Sequence, residues 1–282
     1  MEQNSKPRFV IAASEAESQS ISKLLPSLVS SAQSLARPPI SNFPVAAVGL
    51  GASGRIFVGV NVEFPGLPFH HTIHAEQFLL TNMANNAETR LDSFAVSAAP
   101  CGHCRQFLQE LRDASDIQIF ITSHKNPHFT PLSHFLSHHF GPHDLLPKTL
   151  PLLLEPRHNA LSLPQNDQFN ALAIAALEAA NNSHAPYSAS PSGVALLDSK
   201  RNIFKGFYIE SAAYNPSLGP LQAAIVAFIA GGGGDYEEIV AAVLVEKEGA
   251  VIKQDHTARL LLHSIAPRCH FNNFLASQSH ST

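Results

Sequence analysis

Several features that mark particular protein classes are scarce in this sequence of 282 residues. It has only three cysteines, too few for a framework of disulfide bonds. Its longest basic cluster is the pair Lys200-Arg201, and the formal net charge is −4. A protein that binds the phosphate backbone of nucleic acids would need a basic stripe. We therefore expect a small uncharged substrate and no nucleic-acid partner.

Long apolar segments are also missing. No stretch reaches the roughly 20 apolar residues that span a bilayer, and residues 1–10 are polar, without an apolar signal segment. The composition, 45% hydrophobic and 14% charged, is typical of a folded chain. The sequence therefore predicts a cytosolic protein without membrane contact, whose length favours two compact domains of roughly 130 residues each.

The apolar pattern of the first half predicts an α/β domain. Helical spacing over residues 21–36 ends before Pro38-Pro39, and the strand-like runs 43–50 and 55–62 flank a glycine-containing turn typical of a hairpin. The elements that follow are a helix over 73–82, a strand over 94–98, a helix over 101–111 and a strand over 117–122. This alternation predicts a three-layer α/β/α fold.

A proline-dense stretch, residues 142–164, separates the two halves and is typical of an ordered linker. We expect a catalytic domain over residues 1–146, a linker over 147–164 and a second domain over 165–282.

The second half repeats the pattern of the first, which predicts an internal duplication. A helix is expected over 169–180, and segments 185–187, 193–197 and 203–210 match segments 41–43, 45–50 and 56–63. Pro220-Leu-Gln222 falls where the first half has His74-Ala-Glu76, with one residue of gap. No later segment resembles Pro100-Cys-Gly-His-Cys104. The second copy is therefore expected to keep the scaffold without the polar site.

Four residues combine metal ligands with a carboxylate. His74, Cys101 and Cys104 supply an imidazole and two thiolates, which suit Zn²⁺ and leave a fourth position for water. Zinc lowers the pKa of its water toward about 7. Glu76 is the expected base that serves this water without binding the metal. A helix beginning near Cys101 would stabilise both thiolates through its dipole.

Two alternatives use the same residues. Cys101-Gly-His-Cys104 is also the active-site string of disulfide isomerases with a thioredoxin-like fold, but those sites have a tryptophan before the first cysteine. This chain has Pro100 there, no tryptophan, and neither a signal segment nor a retention tail. A structural zinc site would want a fourth protein ligand and would leave Glu76 without a task.

The order His-x-Glu followed by Pro-Cys-x-x-Cys is the signature of zinc-dependent nucleobase deaminases. Over about residues 38–245, the chain resembles the dimeric type of cytidine deaminase, in which a degenerate copy follows the catalytic domain. The motifs that carry the resemblance are Ser41-Asn-Phe43, Asn61-Val-Glu63-Phe64, His74-Ala-Glu76-Gln77, Pro100-Cys-Gly-His-Cys-Arg-Gln106, Pro186-Tyr187, Ser190-Pro-Ser-Gly-Val-Ala195 and Ala212-Ala-Tyr-Asn-Pro216. The resemblance implies zinc-dependent, hydrolytic deamination of cytidine and of 2′-deoxycytidine to uridine or deoxyuridine and ammonia, in pyrimidine salvage.

The same resemblance assigns roles around the substrate. Asn61 and Glu63 are expected to bind the ribose hydroxyls, and Phe43 to pack on the pyrimidine ring. The backbone of Ala75 and Ala99 is expected to contact the base edge. Residues two apart on a strand point to the same face, so an amide and a carboxylate at these positions suit neighbouring hydroxyls.

The resemblance also implies a homodimer whose sites are completed across the interface by Ala213 and Tyr214. Tyr214 stands where the family is expected to have phenylalanine. Outside these motifs, Cys269 is expected to be a buried or idle thiol, and the histidine-rich segment 124–143 a solvated loop.

Overall fold

A computed structural model describes residues 8–16, 20–164 and 170–278. These residues form two compact units. The first combines the described residues up to Glu63 with Thr72–His139, and the second combines Phe64–His71 with the described residues from Phe140 onward. Residues 64–71 and 140–146, which the sequence-based division placed in the first domain, thus lie in the second unit.

The first unit is a six-stranded mixed sheet with helices packed on it, in the strand order β1-β3-β2-β4-β5-β6. Its strands are β1 (Val10–Ile11), β2 (Ala46–Gly51), β3 (Ile56–Val60), β4 (Leu91–Val96), β5 (Gln118–Ile121) and β6 (Thr130–Pro131). Its helices are α1 (Ala13–Ala16), α2 (Ile21–Ala32), α3 (Ala75–Asn85), α4 (Gly102–Phe107) and α5 (Leu132–Phe135).

The predicted hairpin is confirmed: β2 and β3 pair antiparallel, β4 is antiparallel to β2, and β5 is parallel to β4. All five residues of β3 are buried. Because successive side chains of a strand point to opposite faces, burial of every residue means that both faces of the sheet are covered. This agrees with the predicted three-layer α/β/α arrangement.

The helices predicted in this unit form, but their ends differ for local reasons. Ile73 pairs with Val62 in an isolated β-bridge, so α3 starts later than residue 73 and has His74 as its N-cap. The other two helices each end in a 3₁₀ turn: α2 gives way to Gln33–Leu35, and α4 to Leu108–Glu110. The tighter turn satisfies terminal backbone groups that an α-helix leaves unpaired.

The second unit contains a five-stranded sheet in the order β7-β11-β10-β8-β9. Its strands are β7 (Leu161–Ser162), β8 (Ser192–Asp198), β9 (Ile203–Phe207), β10 (Ile239–Lys247) and β11 (His270–Gln278). Its helices are α6 (Pro142–Leu145), α7 (Ala171–Asn181), α8 (Pro220–Ala230) and α9 (Asp255–Ile265). The helix predicted over 169–180 corresponds to α7, and its first predicted residue, Phe169, lies outside the described residues.

The proline-dense stretch is part of the second unit, and some of its side chains are buried. Leu152, Leu153 and Leu154 are all buried. None of the helices in the described ranges combines the length and apolar character needed to cross a bilayer.

The predicted duplication is confirmed by topology. The order β3-β2-β4-β5 in the first unit matches β9-β8-β10-β11 in the second. In both, the first three strands are antiparallel neighbours and the last pair is parallel.

One of the predicted matches is wrong by three residues. Ser41-Asn-Phe43 corresponds to Ser188-Ala-Ser190 and not to Ala185-Pro-Tyr187, because Asn42 and Ala189 share the left-handed backbone conformation, with φ of 53° and 51°. Side-chain hydrogen bonds support the same match. The Ser41 hydroxyl donates to Glu63, beyond the end of β3, and the Ser188 hydroxyl donates to Glu210, beyond the end of the corresponding strand β9. Phe43 and Tyr187, the aromatic residues that end the two segments, therefore do not correspond.

The start of α8 gives a second correction. Its N-cap is Gly219, as His74 is the N-cap of α3. Gly219 therefore stands in the place of His74, and Leu221 in the place of Glu76, one residue away from the match suggested by Pro220-Leu-Gln222.

The segment Pro100–Cys104 has a structural counterpart in the second unit, although no segment there resembles it in sequence. The N-cap of α9 is Gln254, as that of α4 is Cys101. Thr257 consequently matches Cys104. Sequence comparison missed this match because the only residue common to the two five-residue segments is the histidine before the last position.

Candidate active site

The N-terminal ends of two helices bring the predicted metal ligands together. His74 caps α3 and Cys101 caps α4, both with extended backbone and with side chains not used for capping. The Nδ1 atom of His74 lies 3.5 Å from Cys101 Sγ and 3.3 Å from Cys104 Sγ. The two sulfur atoms are 3.7 Å apart.

These distances fit a zinc ion. Tetrahedral zinc with Zn–S bonds of ~2.3 Å and Zn–N bonds of ~2.0 Å separates two sulfur ligands by ~3.8 Å and a sulfur from a nitrogen by ~3.5 Å. The separations among His74, Cys101 and Cys104 are close to these values. One imidazole and two thiolates are also a donor set that zinc prefers.

His103 is a further histidine near the metal that sequence analysis did not single out. Within the described ranges, the one cluster of side chains suited to a metal is His74, Cys101, His103 and Cys104, whose ligand atoms lie within 4.8 Å of one another. His74 and Cys101 line the adjoining cavity, whereas His103 does not. With three ligands and without His103, a bound zinc would keep a fourth position for the cavity side. The position of His103 between the two cysteines was the signal in the sequence that could have identified it.

Glu76 lies beside this triad without belonging to the metal cluster. Its side chain is buried, and Oε2 is 3.1 Å from Cys104 Sγ. Burial raises the pKa of the Glu76 carboxyl, because an ionised group loses solvation, although the hydrogen bond from Cys104 opposes this effect. The carboxyl therefore holds a proton more readily than one in water.

Without a bound cation, the pKa values of the two cysteine thiols are shifted in opposite directions. The hydrogen bond with Cys104 lowers the pKa of Cys101 to about 3, against the effect of burial. The same bond, with burial, raises the pKa of Cys104, and the hydrogen bond with Cys101 raises that of His74. A thiolate at Cys101 beside a protonated neighbour is a negative site ready for a cation.

Arg105 fixes the loop that carries these cysteines. Its Nε atom donates to the carbonyl of Pro100 at 2.7 Å, and an Nη1 hydrogen bond reaches the carbonyl of Phe135 at 3.1 Å. The peptide group just before Cys101 is thereby held by a charged hydrogen bond.

An open cavity of ≈ 470 Å³ adjoins the triad, within the ~300–1,000 Å³ usual for small-molecule sites. It brings together the first-unit site residues predicted from sequence, apart from Cys104. Its lining consists of Ser41, Phe43, Val45, Asn61, Glu63, Thr72, Ile73, His74, Ala75, Glu76, Ala98, Ala99 and Cys101.

Glu63 and Asn61 line this cavity with polar groups that already make several hydrogen bonds within the protein. Glu63 Oε2 accepts the amides of Ile40 at 2.8 Å and Ser41 at 2.9 Å, and Oε1 accepts the Ser41 hydroxyl at 2.5 Å. Asn61 Oδ1 accepts the amide of Val45, and Nδ2 donates to the carbonyl of Phe43. Burial alone would raise the pKa of Glu63, but the bonds from Ser41 and Ile40 lower it, so the carboxylate stays ionised.

Phe43 forms one wall of the cavity. It is 59% exposed, so it is not a core residue, the alternative that its apolar character would suggest. Ala75 and Ala99 lie along the same cavity, as predicted. Ser41, Val45, Thr72, Ile73 and Ala98 line it too and were not predicted as site residues.

The structure does not place Ala213 and Tyr214 in this cavity. Both lie in the second unit, outside the cavity lining. Tyr214 is 66% exposed with a left-handed φ of 62°, in a turn closed by its amide and the carbonyl of Ser211. A non-glycine residue with positive φ is uncommon.

The position in the second unit that matches the metal site is almost filled. A cavity of ≈ 10 Å³ lies between the starts of α8 and α9, against ≈ 470 Å³ in the first unit. Gly219, Gln254 and Thr257 take the places of the three ligands, and Leu221 that of Glu76. This set offers neither an imidazole nor a thiolate, so zinc is not expected there.

Comparison with known proteins gives a consistent result. Residues 19–120 and residues 132–259 each match a family model described as the zinc-binding region of cytidine and deoxycytidylate deaminases. The chain is 57% identical to cytidine deaminase 1 of Arabidopsis thaliana, over 95% of this chain and 98% of that protein. It is 49% identical to cytidine deaminase 6 of the same plant, over 94% and 96%. It is 40% identical to cytidine deaminase of Shewanella halifaxensis, over 89% and 82%.

The ligand assignment predicts how zinc content responds to substitution. Cys101→Ala and Cys104→Ala each remove one of three ligands, so the purified variants should contain little zinc. His103→Ala should keep about one zinc per chain, because the three ligands remain. Metal analysis with circular dichroism, to confirm folding, measures both. Loss of zinc from His103→Ala, or its retention in a folded cysteine variant, would contradict the assignment.

Proposed function

The chain belongs to the cytidine deaminase family and catalyses the hydrolytic deamination of cytidine, and we propose that the reaction takes place in the first unit, at the zinc site of His74, Cys101 and Cys104. The observation that carries this proposal is the position of Glu76, buried beside the triad on a substrate-sized cavity. Family membership also decides against the dithiol–disulfide alternative for Cys101 and Cys104.

His74, Cys101 and Cys104 hold the zinc, which when bound supplies a Lewis acid that makes water acidic near neutral pH. Glu76 moves the protons: it accepts one from the attacking water and delivers it to N3 of cytosine. It then accepts the second proton of the same oxygen, now bonded to C4, and delivers it to the amine that leaves C4. Its burial keeps bulk water from competing for these protons. Water supplies the oxygen of the uracil product, and ammonia departs.

The middle of the cavity suits a flat base. Phe43 offers an exposed ring for packing on the pyrimidine, because aromatic faces stack on flat heterocycles. The peptide groups of Ala75 and Ala99 lie along the cavity, and we assign to them the contacts with the base edge.

Counting the unused hydrogen-bonding positions of Asn61 and Glu63 defines what these two side chains bind. Four acceptor positions on a carboxylate, less the three taken in Glu63, leave one at Oε1. Asn61 has one Nδ2 hydrogen and one Oδ1 acceptor position left, because the other position on each atom binds Phe43 or Val45. The Nδ2 hydrogen and the free Oε1 position of Glu63 together match one hydroxyl group, which accepts one hydrogen bond and donates another. We assign it to the 3′-hydroxyl, which cytidine and 2′-deoxycytidine share.

Replacing Glu76 tests the proton transfer. Glu76→Gln should keep zinc and fold but lose about 10²–10⁴-fold in kcat, because an amide cannot carry the protons. Loss of ultraviolet absorbance on cytidine conversion, with metal analysis of the same sample, measures both. Activity within tenfold of the native enzyme would place the proton transfer elsewhere.

Sugar analogues test the single-hydroxyl site. Cytidine and 2′-deoxycytidine should have kcat/KM values within about fivefold of each other. 3′-Deoxycytidine lacks this hydroxyl, and leaving its hydrogen-bonding partners unsatisfied costs ~1–3 kcal/mol of binding free energy. Its kcat/KM should therefore be at least about tenfold lower. The reverse order, with 2′-deoxycytidine as the poor substrate, would show that Asn61 and Glu63 bind the 2′-hydroxyl.

Tyr214 has no place in the first-unit cavity, and we propose that the active form is a homodimer in which Ala213 and Tyr214 complete the site of the partner subunit. The exposure and strained backbone of Tyr214 support this arrangement, because such strain persists where a function depends on it. A cytosolic location and a role in pyrimidine salvage stay predictions from the sequence.

Mixed dimers test the shared site. Tyr214→Ala should raise KM for cytidine without changing zinc content. Combining Glu76→Gln subunits with Tyr214→Ala subunits should restore activity, because each hybrid dimer has one site with both residues intact. If hybrid dimers form and both variants are impaired alone, absence of any rescue would mean that each site is built within one chain.

A further inference from the structure

The hydroxyl of Ser41 joins two parts of the cavity that bind different parts of the substrate. It donates to Glu63 Oε1 at 2.5 Å and accepts the amide of Phe43 at 3.1 Å. One exposed side chain thus connects the carboxylate at the sugar end with the backbone of the aromatic residue at the base. Ser41 also lines the cavity itself.

The bond from Ser41 determines which acceptor position of Glu63 is free. Oε2 is held by the amides of Ile40 and Ser41, and these bonds do not need the serine side chain. At Oε1 the hydroxyl occupies one of two positions, and the remaining one is available to a ligand. Without the hydroxyl, both positions at Oε1 would be open to water, and the carboxylate could rotate about the bonds made by Oε2.

The second unit contains the same bridge without a catalytic site. Ser188 donates its hydroxyl to Glu210 Oε1, while the amides of Tyr187 at 2.8 Å and Ser188 at 3.2 Å bind Oε2. The amide of Ser190 donates to the Ser188 hydroxyl at 3.2 Å. The bridge therefore forms from the scaffold alone and needs neither zinc nor substrate.

The two bridges differ in what they carry. Ser190 occupies the place of Phe43, so no ring is attached to the second bridge. Glu210 is buried, at 3% exposure, whereas Glu63 is partly exposed and lines the open cavity. The first bridge thus combines the structural role seen at Ser188 with access for a ligand.

We propose that Ser41 is a positioning residue for substrate binding, which orients Glu63 toward the sugar hydroxyl and holds Phe43 in register with it. The proposal rests on the role of Glu63 proposed above. Ser41 acts on the ground-state complex, because the groups it orients contact the sugar and the face of the ring and transfer no proton. Its loss should therefore raise KM and leave kcat nearly unchanged.

Kinetics of the zinc-loaded dimer test this proposal. Ser41→Ala should raise KM for cytidine about tenfold, or about 1.4 kcal/mol, with kcat within about twofold and zinc content unchanged. The ratio of kcat/KM for 2′-deoxycytidine to that for 3′-deoxycytidine should fall toward one. This ratio does not depend on the fraction of folded protein, so it stays informative if the variant is less stable. Ser41→Thr keeps the hydroxyl and should restore most of the ratio.

Ser188→Ala is the matched control, because it removes the same bridge where no substrate is bound. It should lower the melting temperature as Ser41→Ala does while leaving KM within about twofold. The effects of Ser41→Ala and Glu63→Gln on KM should combine to less than their sum in the double variant, because Ser41 acts in part through that carboxylate.

An unchanged KM and ratio in Ser41→Ala, equal effects of Ser41→Ala and Ser188→Ala on KM, or additive effects in the double variant would each overturn the proposal. A native KM and ratio in Glu63→Gln would overturn the earlier assignment of Glu63 and this inference with it. Failure of the inference alone is distinguishable, because Glu63→Gln would then be impaired while Ser41→Ala is not.

Discussion

The close contact between α3 and β3 places the two ends of the cavity relative to each other. A side-chain Cβ added at Gly59 would lie 2.2 Å from the carbonyl oxygen of Ala75 and 2.4 Å from the amide nitrogen of Leu79. Only a residue without a side chain lets the helix backbone approach the strand this closely. His74 and Glu76 flank Ala75, and the chain runs from Gly59 past the end of β3 to Asn61 and Glu63. One backbone contact thus sets the separation between the residues at the start of α3 and those beyond β3.

The second unit keeps this contact and has lost the chemistry. Gly206 approaches the backbone of Ala223 and Ala224 in α8 as closely as Gly59 approaches α3. The serine–glutamate bridge is kept as well. Leu221 stands in the place of Glu76, and the cavity is reduced to ≈ 10 Å³. Backbone contacts and the bridge are therefore common to both units, whereas the imidazole, the thiols and the carboxyl of the first-unit site have no equivalent at the matching positions of the second.

Much of the fold and the metal site could be predicted because the signals are local. Apolar periodicity gave the hairpin and the main helices, and the spacing of Cys101 and Cys104 indicated a metal. The match between the halves was misjudged where it depended on alignment. Ser41 was paired with the wrong region because two structural features identify Ser188 as its counterpart. These are the backbone conformation of the next residue and the hydrogen bond to Glu210, 22 positions away. Neither is visible in a short string of letters.

Taken alone, the sequence determined the kinds of groups available for catalysis: an imidazole, two thiolates, a carboxylate and an aromatic ring. It also determined the spacing of those groups that lie in the same element. Tertiary structure decided how many of their bonding positions remain for a ligand. It left one acceptor position on Glu63 and one donor and one acceptor position on Asn61, and it kept His103 out of the cavity lining. These outcomes depend on contacts between residues far apart in the chain, because a hydrogen bond made inside the protein removes a position that a substrate would otherwise use.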